Sequence, residues 1–330
     1  KRGAKAFSYS KVTNVQRKNG QWLVSINSRE GSFTVKTKVL INAMGPWVNS
    51  LRQLENNKKN QSMVRLVKGS HIVVKKFFNH DSAYIFQGKD GRIIFSIPYE
   101  KDFTLIGTTE VEHKESDEVK CSDEEKKYLC GFASNYFQKK ITVEDIVWDF
   151  SGVRALYENK TVEARNASRD YTFELEEKEG SMLLTVYGGK ITTHRMLAEK
   201  AVSKITTFLK LNRSEWTSTQ HLPGGDFKLK DKEKIIRRLL EKYKFLNMRW
   251  AERLFRTFGS EVEKVLGEAK AEIDLGKNFG YDLTEREVLW YINQEHVRCV
   301  EDLIWRRSKL GLRLTSKQIR ELNSYIKKLN

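Results

Sequence analysis

A change of hydrophobic periodicity at residues 222–225 constrains this chain more than any other feature. Before that point, apolar residues alternate or run in short segments such as residues 21–26 and 182–187, and both patterns are typical of strands. After it they recur every three or four residues, which is typical of helices. The Leu-Pro-Gly-Gly sequence between the two regions is a turn signal. The sequence therefore predicts an α/β region followed by a separate helical domain at residues 226–330.

Local signals refine this division. Ser122 and Glu125 form a capping box that predicts a helix to about residue 137, and a long helix is predicted after Gly188-Gly189. Capping boxes in the helical region predict helix starts at Ser260–Glu263, Thr284–Glu287 and Thr315–Gln318. Further strands are predicted at residues 32–43, 70–74, 83–86, 92–97, 104–106 and 171–175, and another near residue 146.

Composition excludes several classes of protein. A chain of 330 residues with 39% hydrophobic content can bury sizeable cores, so it is not wholly disordered. Its apolar runs fall far short of the roughly 20 residues that span a bilayer, and its first ten residues lack the apolar core of a secretory signal. The three cysteines (Cys121, Cys130 and Cys299) have no metal-ligand spacing and cannot make a disulfide framework. We therefore expect no metal site and a reduced, cytoplasmic compartment.

The net charge of +17 allows two interpretations. Residues 201–330 hold 27 basic and 18 acidic residues, so the positive charge is denser there than in the rest of the chain. A basic region of this kind can face nucleic acid or an anionic membrane surface. It can equally be a well-solvated basic surface, and the charge alone does not separate the two.

Two glycine-containing strand ends are candidate cofactor sites. In the first, a strand at residues 183–187 runs into Gly188, Gly189 and Lys190 before a helix. Glycines let a flat ligand approach the backbone, and a helix N-terminus with an added lysine favours negative charge. In the second, a strand at residues 39–42 ends in Ala43, Met44 and Gly45. Both turns also have a purely structural interpretation.

Three polar side chains on apolar strands are candidates for substrate binding or catalysis. Arg154 and Arg169 carry guanidinium forks that can bind phosphate oxygens in pairs, and a neutral His71 can accept a proton. Alternatively, His71 is a structural residue, and Arg154 forms an ion pair with Asp149 or Asp170. The sequence does not show whether these side chains meet.

Taken in order, ten short segments resemble the FAD-dependent (aerobic) glycerol-3-phosphate dehydrogenase family over nearly the whole chain. The segment at residues 65–74 includes Lys68-Gly69-Ser70-His71, and the segment at residues 188–193 includes the Gly-Gly-Lys turn. The matching segments are residues 41–47, 65–74, 91–100, 103–109, 151–154, 168–171, 188–193, 222–225, 283–288 and 301–311.

The resemblance implies an α/β plus α fold in three parts. Residues 1–50 and 150–210 would form part of a glutathione-reductase-type FAD-binding domain. Residues 51–149 would form an antiparallel-sheet substrate domain, and residues 211–330 an all-helical C-terminal domain. The family's G-x-G-x-x-G segment for the FAD pyrophosphate does not occur in this sequence, so the chain is expected to lack that N-terminal portion. The residues implied to contact FAD are Ala43, Met44, Gly45, Gly188, Gly189, Lys190, Ile191 and Thr192.

The resemblance also implies an activity and partners. The substrate would be glycerol 3-phosphate, bound by His71, Arg154, Arg169 and Lys190 and oxidised to dihydroxyacetone phosphate. His71 would be the base for the C2 hydroxyl while the flavin is reduced, with Lys190 as the rival base and Arg154 as a further catalytic group. Electrons would pass to quinone at the inner face of the cell membrane, where the protein would bind peripherally. No nucleic-acid partner is expected, and a homodimer is a possible assembly.

Two other functions remain open at this level. A related oxidase would pass the electrons to O2 and release peroxide. A non-catalytic remnant would act only as a binding module through its basic helical part. Peroxide yield distinguishes the first from a dehydrogenase, and flavin absorbance distinguishes the second from either enzyme.

Overall fold

A computed structural model describes residues 3–56, 64–88, 91–114, 118–157 and 170–329. The chain divides into two compact units, Lys1–Ser218 and Thr219–Asn330. The strands described in the first unit are β1 (Lys11–Lys18), β2 (Gln21–Ser28), β3 (Gly31–Thr37), β4 (Val39–Asn42), β5 (Val64–Lys75), β6 (Tyr84–Gln87), β7 (Ile93–Tyr99), β8 (Phe103–Gly107), β9 (Val111–Glu112), β10 (Ile146–Tyr157), β11 (Tyr171–Lys178) and β12 (Ser181–Gly188). Its helices there are α1 (Ser50–Asn56), α2 (Asp123–Ser134) and α3 (His194–Phe208).

These strands form three sheets. The hairpins β1–β2 and β2–β3 make an antiparallel three-stranded sheet. The largest sheet has the order β10-β5-β8-β7-β6, all antiparallel, with β9 added to β5. The third has the order β11-β12-β4, and its β12–β4 pair is parallel.

The run predicted as one strand at residues 32–43 is two strands in two different sheets, so that prediction was wrong. The chain bends at Lys38, between β3 and β4. The Lys38 carbonyl accepts a hydrogen bond from Met182 N–H at 2.9 Å, and Thr37 Oγ1 donates to the Val39 carbonyl. Because both flanks contain β-branched residues that favour strands, the sequence pattern does not reveal the change of partner.

Helix α2 covers one face of the large sheet and leaves the other for chemistry. Its capping box is formed as predicted, with Ser122 Oγ and the Glu125 carboxylate each accepting from the other's backbone N–H. Ile72 and Val74 of β5 pack with α2 in one apolar core. Since side chains alternate along a strand, the odd-numbered residues of β5, including His71, lie on the opposite face.

The second unit is helical, as its periodicity predicts. Its core joins residues from all of its helices, and Leu283, Val288 and Leu322 are fully buried within it. The described elements are α4 (Lys232–Lys242), α5 (Met248–Phe258), α6 (Val262–Leu266), α7 (Glu285–Glu295), a π-helical segment (Asp302–Arg307) and α8 (Ser316–Leu329). In the described ranges, no helix combines the length and apolar composition that crossing a bilayer requires.

The three predicted capping boxes of this unit have different outcomes. Thr315 and Gln318 form theirs, with Thr315 N–H donating to Gln318 Oε1 at 2.8 Å. Thr284 does precede α7, but without a side-chain cap, because the Glu287 carboxylate bonds Arg253 instead. The box at Ser260 was wrong: its hydroxyl donates to Asp226, and α6 begins only at Val262.

Candidate active site

His71 is held on the face of the large sheet that α2 does not cover. Its ring stacks on Phe150 of β10, with centroids 5.0 Å apart and planes 5° apart. On the other side it lies against Gly107 of β8, where an added Cβ would come within 2.2 Å of His71 Cδ2. Only glycine therefore leaves room for the ring at that position.

The electrostatic environment keeps His71 neutral. Burial and, second, the positive charge of Arg154 lower the pKa of His71 to about 4. The buried Nδ1 has no hydrogen-bond partner among the described residues. An uncharged imidazole can accept a proton from a bound hydroxyl group, and because Nδ1 is buried the accepting atom would be Nε2.

Arg154 projects from β10 toward the turn after β8. Its Nη2 donates to Thr108 Oγ1 at 3.3 Å, and its Nη1 lies 3.8 Å from Glu110 Oε1. The alternative pairing with Asp149 was wrong, because Asp149 pairs with Lys126 at 3.1 Å. Among the described residues Arg154 Nη1 has no hydrogen-bond partner, and 37% of the side chain is exposed, so the guanidinium keeps donor groups for an incoming anion.

The predicted cofactor residues lie along one edge of the sheet that contains β4 and β12. Because these strands are parallel, their carboxyl ends meet at the same edge, where Ala43, Met44 and Gly45 follow β4. Gly188 is the last residue of β12 and has φ of 67°, and Gly189 after it has φ of 95°. Gly45 has φ of 55°. These conformations favour glycine, so backbone without side chains lies at this edge. We call the edge formed by Gly45, Gly188 and Gly189 the glycine edge.

The long helix predicted after Gly188-Gly189 is present as α3, with a short turn before it. Lys190 is exposed and precedes a short 3-10 turn at Ile191–Thr193. The predicted cofactor residues Ile191 and Thr192 therefore lie in this turn, and α3 begins at His194. Ile191 is also exposed. In the described part of the chain the Lys190 ammonium has no ion-pair partner, so its charge is available at the glycine edge.

The two groups of candidate residues meet where β12 ends beside β10. A Cβ added to Gly188 would lie 3.8 Å from the carbonyl oxygen of Ala155, the residue after Arg154. The phosphate-binding candidate and the glycine edge are therefore neighbours. Arg169 lies outside the described residues.

Several residues of this site were missed by the sequence analysis. Phe150 contacts His71 and Thr108 contacts Arg154. Phe150 lies outside the ten matching segments, and Thr108 lies in the segment at residues 103–109 but was not singled out as a site residue. Gly69 and Gly107 did carry a signal, because glycine inside a strand indicates a close approach of another group. No cluster of three or more His, Cys, Asp or Glu in the described ranges could hold a metal ion.

Comparisons with known proteins bear on the family and the fold of the chain. Residues 1–195 match the family model described as FAD dependent oxidoreductase, and residues 216–327 match the C-terminal domain of alpha-glycerophosphate oxidase. A glycerol-3-phosphate dehydrogenase from Bacillus halodurans, solved with FAD, has the same fold at a TM-score of 0.77 and 24% identity, covering 99% of this chain and 69% of that one. The predicted fold class and family are confirmed.

Three curated relatives have similar sequences over most of the chain. The aerobic glycerol-3-phosphate dehydrogenase of Escherichia coli K12 is 35% identical, covering 99% of this chain and 66% of its own length. The glycerol-3-phosphate dehydrogenase of Pseudomonas aeruginosa is 36% identical, covering 98% of this chain and 64% of its own length. The D-erythritol 1-phosphate dehydrogenase of Brucella abortus is 35% identical, covering 95% of this chain and 63% of its own length. The chain thus spans just under two thirds of the length of these relatives.

Proposed function

Because the chain belongs to the FAD-dependent oxidoreductase family, we propose that it oxidises sn-glycerol 3-phosphate to dihydroxyacetone phosphate. The observation that carries the proposal is the neutral, half-buried His71 on one sheet face with the guanidinium of Arg154. One group can take a hydroxyl proton and the other can bind a phosphate dianion. The names of the curated relatives support the same substrate class.

The glycine edge fits a flavin. Gly45, Gly188 and Gly189 present backbone without side chains, and a Cβ added at Gly45 would meet no described protein atom within 4 Å. We assign this edge, with Ala43, Met44, Ile191 and Thr192, to FAD. When bound there, FAD supplies the two-electron oxidant.

Each protein group then has one task. Arg154 binds the substrate phosphate, joined in our proposal by Arg169. His71 accepts the proton of the C2 hydroxyl group through its ring nitrogen. Lys190, exposed at the glycine edge, stabilises negative charge there rather than acting as the base. We assign residues 1–50 and 150–210 to FAD binding, 51–149 to substrate binding and 211–330 to the helical domain.

The test is reduction of the bound flavin by substrate. Without oxygen, glycerol 3-phosphate should bleach the flavin absorbance of the purified protein, and dihydroxyacetone phosphate should form in equal amount. D-Erythritol 1-phosphate, the substrate in the name of the Brucella relative, is the comparison substrate. A flavin that glycerol 3-phosphate does not reduce would refute the proposal, and reduction by D-erythritol 1-phosphate alone would show a different substrate.

The electron acceptor separates a dehydrogenase from an oxidase. We propose quinone, in keeping with the relatives named as dehydrogenases. The second candidate is O2, which the name of the matching C-terminal family model favours. Stoichiometric hydrogen peroxide in air, without added quinone, would select the oxidase.

The pH dependence tests the role of His71. An unperturbed histidine would give a rising limb of kcat/KM in the neutral range, but burial and the charge of Arg154 lower the pKa of His71 to about 4. The neutral form is the base, so activity should rise as pH increases through about 4 and His71 loses its proton. The His71→Asn variant should lack this limb and lose about 100-fold in kcat/KM.

A control is built into this profile. The substrate phosphate has its own second ionisation near pH 6, which should persist in both proteins. If the limb near pH 4 also persists in His71→Asn, the base is another group.

Reaching a quinone requires a membrane surface, so we propose peripheral docking on anionic lipid at the inner face of the cell membrane. In the helical unit, Leu229 is 81% exposed and is flanked by Lys228 and Lys230. An apolar side chain between cations suits insertion between anionic headgroups.

We expect Leu229→Ser to weaken binding to anionic vesicles about tenfold, because one buried leucine contributes about 1.5–3 kcal/mol. The matched control is Ile273→Ser, which removes an equally exposed side chain (84%) that lies between Glu272 and Asp274. Vesicle co-sedimentation at low salt measures both variants. Equal loss from the two substitutions, or equal binding to neutral and anionic vesicles, would contradict the docking surface.

A further inference from the structure

Glu125 is a buried carboxylate that joins three elements behind the candidate active site. It accepts hydrogen bonds from Thr109 Oγ1 at 2.6 Å, Ser70 Oγ at 2.8 Å and Ser122 N–H at 2.9 Å. Lys68 Nζ lies 2.9 Å from its second oxygen, and only 8% of the Glu125 side chain is exposed. The α2 N-terminus, β5 and the segment after β8 therefore meet at one side chain.

The charge of Glu125 is essential to this arrangement. Burial opposes ionisation, but the hydrogen bonds from Ser122, Thr109, Lys68 and Ser70 outweigh it and lower the pKa of Glu125 to about 2. An ionised carboxylate only accepts hydrogen bonds, so it satisfies all of these donors. An amide of the same shape presents two hydrogens to them and must leave donors unpaired.

The donors of this network are chain neighbours of the site residues. Ser70 precedes His71, and its hydroxyl also lies 2.7 Å from Ser151 Oγ, next to Phe150 on β10. Thr109 follows Thr108, and Thr109 Oγ1 accepts the Ser70 N–H at 2.9 Å. The network thus fixes β5 and the turn after β8 from the face opposite the substrate.

That turn forms one wall for Arg154. Thr108 Oγ1 accepts from Arg154 Nη2. A Cβ added to Gly69 would lie 2.6 Å from Thr108 Oγ1, 3.1 Å from Arg154 Nη2 and 3.1 Å from the Thr109 carbonyl. The guanidinium therefore occupies a narrow space between Gly69 and residues 108–109, and its direction depends on where those two residues lie.

We propose that Glu125 is a positioning residue for the phosphate-binding arginine: through Thr109 it fixes residues 108–109, against which Arg154 is aimed. Glu125 does not touch the substrate. The inference rests on the proposed function in taking the anion at Arg154 to be the substrate phosphate.

The experiment compares four variants of the flavin-loaded protein. Glu125→Gln and Thr109→Val keep side-chain shape but break the link, and Thr109→Ser keeps the hydroxyl. Glu287→Gln weakens a buried ion pair in the helical unit and is the control for general destabilisation. Inorganic phosphate binding by calorimetry and the separate kcat and KM for glycerol 3-phosphate are measured for each.

We expect Glu125→Gln and Thr109→Val to raise the phosphate Kd and the substrate KM about tenfold, the effect of one hydrogen bond to a charged group. Their kcat should change less than threefold, because Phe150 and Gly107 hold the His71 ring independently of Glu125. Thr109→Ser and Glu287→Gln should bind phosphate within twofold of wild type. Unchanged Kd in the first pair, an equal rise in Glu287→Gln, or no phosphate binding by wild type would overturn the inference.

These measurements distinguish a failure of the proposed function from a failure of the positioning role of Glu125. If wild type binds phosphate and the Kd pattern holds but glycerol 3-phosphate does not reduce the flavin, the proposed function is wrong and the positioning role stands. If turnover occurs and the Kd pattern is absent, only the positioning role is wrong.

Discussion

Replacing Arg154 by alanine is expected to lower kcat/KM for glycerol 3-phosphate by about 100-fold, chiefly through KM. Hydrogen bonds to charged groups contribute about 1.5–3 kcal/mol each, and a guanidinium fork can make two of them to one phosphate. Arg154→Lys should fall between wild type and alanine, because it keeps the charge but loses the fork. Steady-state kinetics with glycerol 3-phosphate measure both variants.

Two further readouts make this prediction specific. Oxidation of unphosphorylated glycerol should be nearly unchanged, since the lost bonds are to phosphate. The positive charge of Arg154 also lowers the pKa of His71, so the acid limb of the alanine variant should move to higher pH. The control is Arg92→Ala, whose guanidinium lies over Tyr128 of α2, on the other face of the sheet. An equal loss for glycerol and glycerol 3-phosphate would argue against phosphate binding by Arg154.

The largest stability effect is expected in the helical unit. Arg253 bonds both oxygens of Glu287, at 2.7 and 2.8 Å, and the Glu287 side chain is 1% exposed. Removing one partner of a buried ion pair leaves the other charge unpaired, which costs about 3–5 kcal/mol. Glu287→Ala should therefore lower the free energy of unfolding by that amount, measured by urea denaturation.

The matched control is Glu263→Ala in the same unit. Glu263 pairs with Arg238 and Lys242 at 2.9 and 2.8 Å, but both basic side chains are largely exposed. Exposed pairs contribute at most about 1 kcal/mol, so this variant should stay near wild type. Similar losses in the two variants would mean that the Arg253–Glu287 pair has no special role.

The sequence predicts those parts of the fold that depend on local chemistry. The α2 capping box and the helical period after residue 225 are local, and both are present in the structure. Where a residue chooses between partners far apart in the chain, the local pattern fails. Ser260 bonds Asp226 instead of capping a helix, and Glu287 bonds Arg253 instead of Thr284.

The candidate site shows the same limit. The residue types of His71 and Arg154 indicate chemistry, but only the pairing of β5 with β10 places them on one sheet face. The acidic pKa of His71 follows from burial and from Arg154, neither of which the sequence reveals. Glu125 is recognisable as a capping residue, whereas its bonds to Ser70 and Thr109 require the folded sheet.

The parallel pair of β4 and β12 has a consequence for how this protein is made. Val39 pairs with Met182, so β4 leaves the ribosome long before the strand that it needs. Until then its backbone N–H and C=O groups form an open edge that can pair with other chains. Distant pairings of this kind also form slowly. Nascent chains should therefore depend on chaperones that cover β4, and a ribosome that stalls before residue 181 should release an aggregation-prone product.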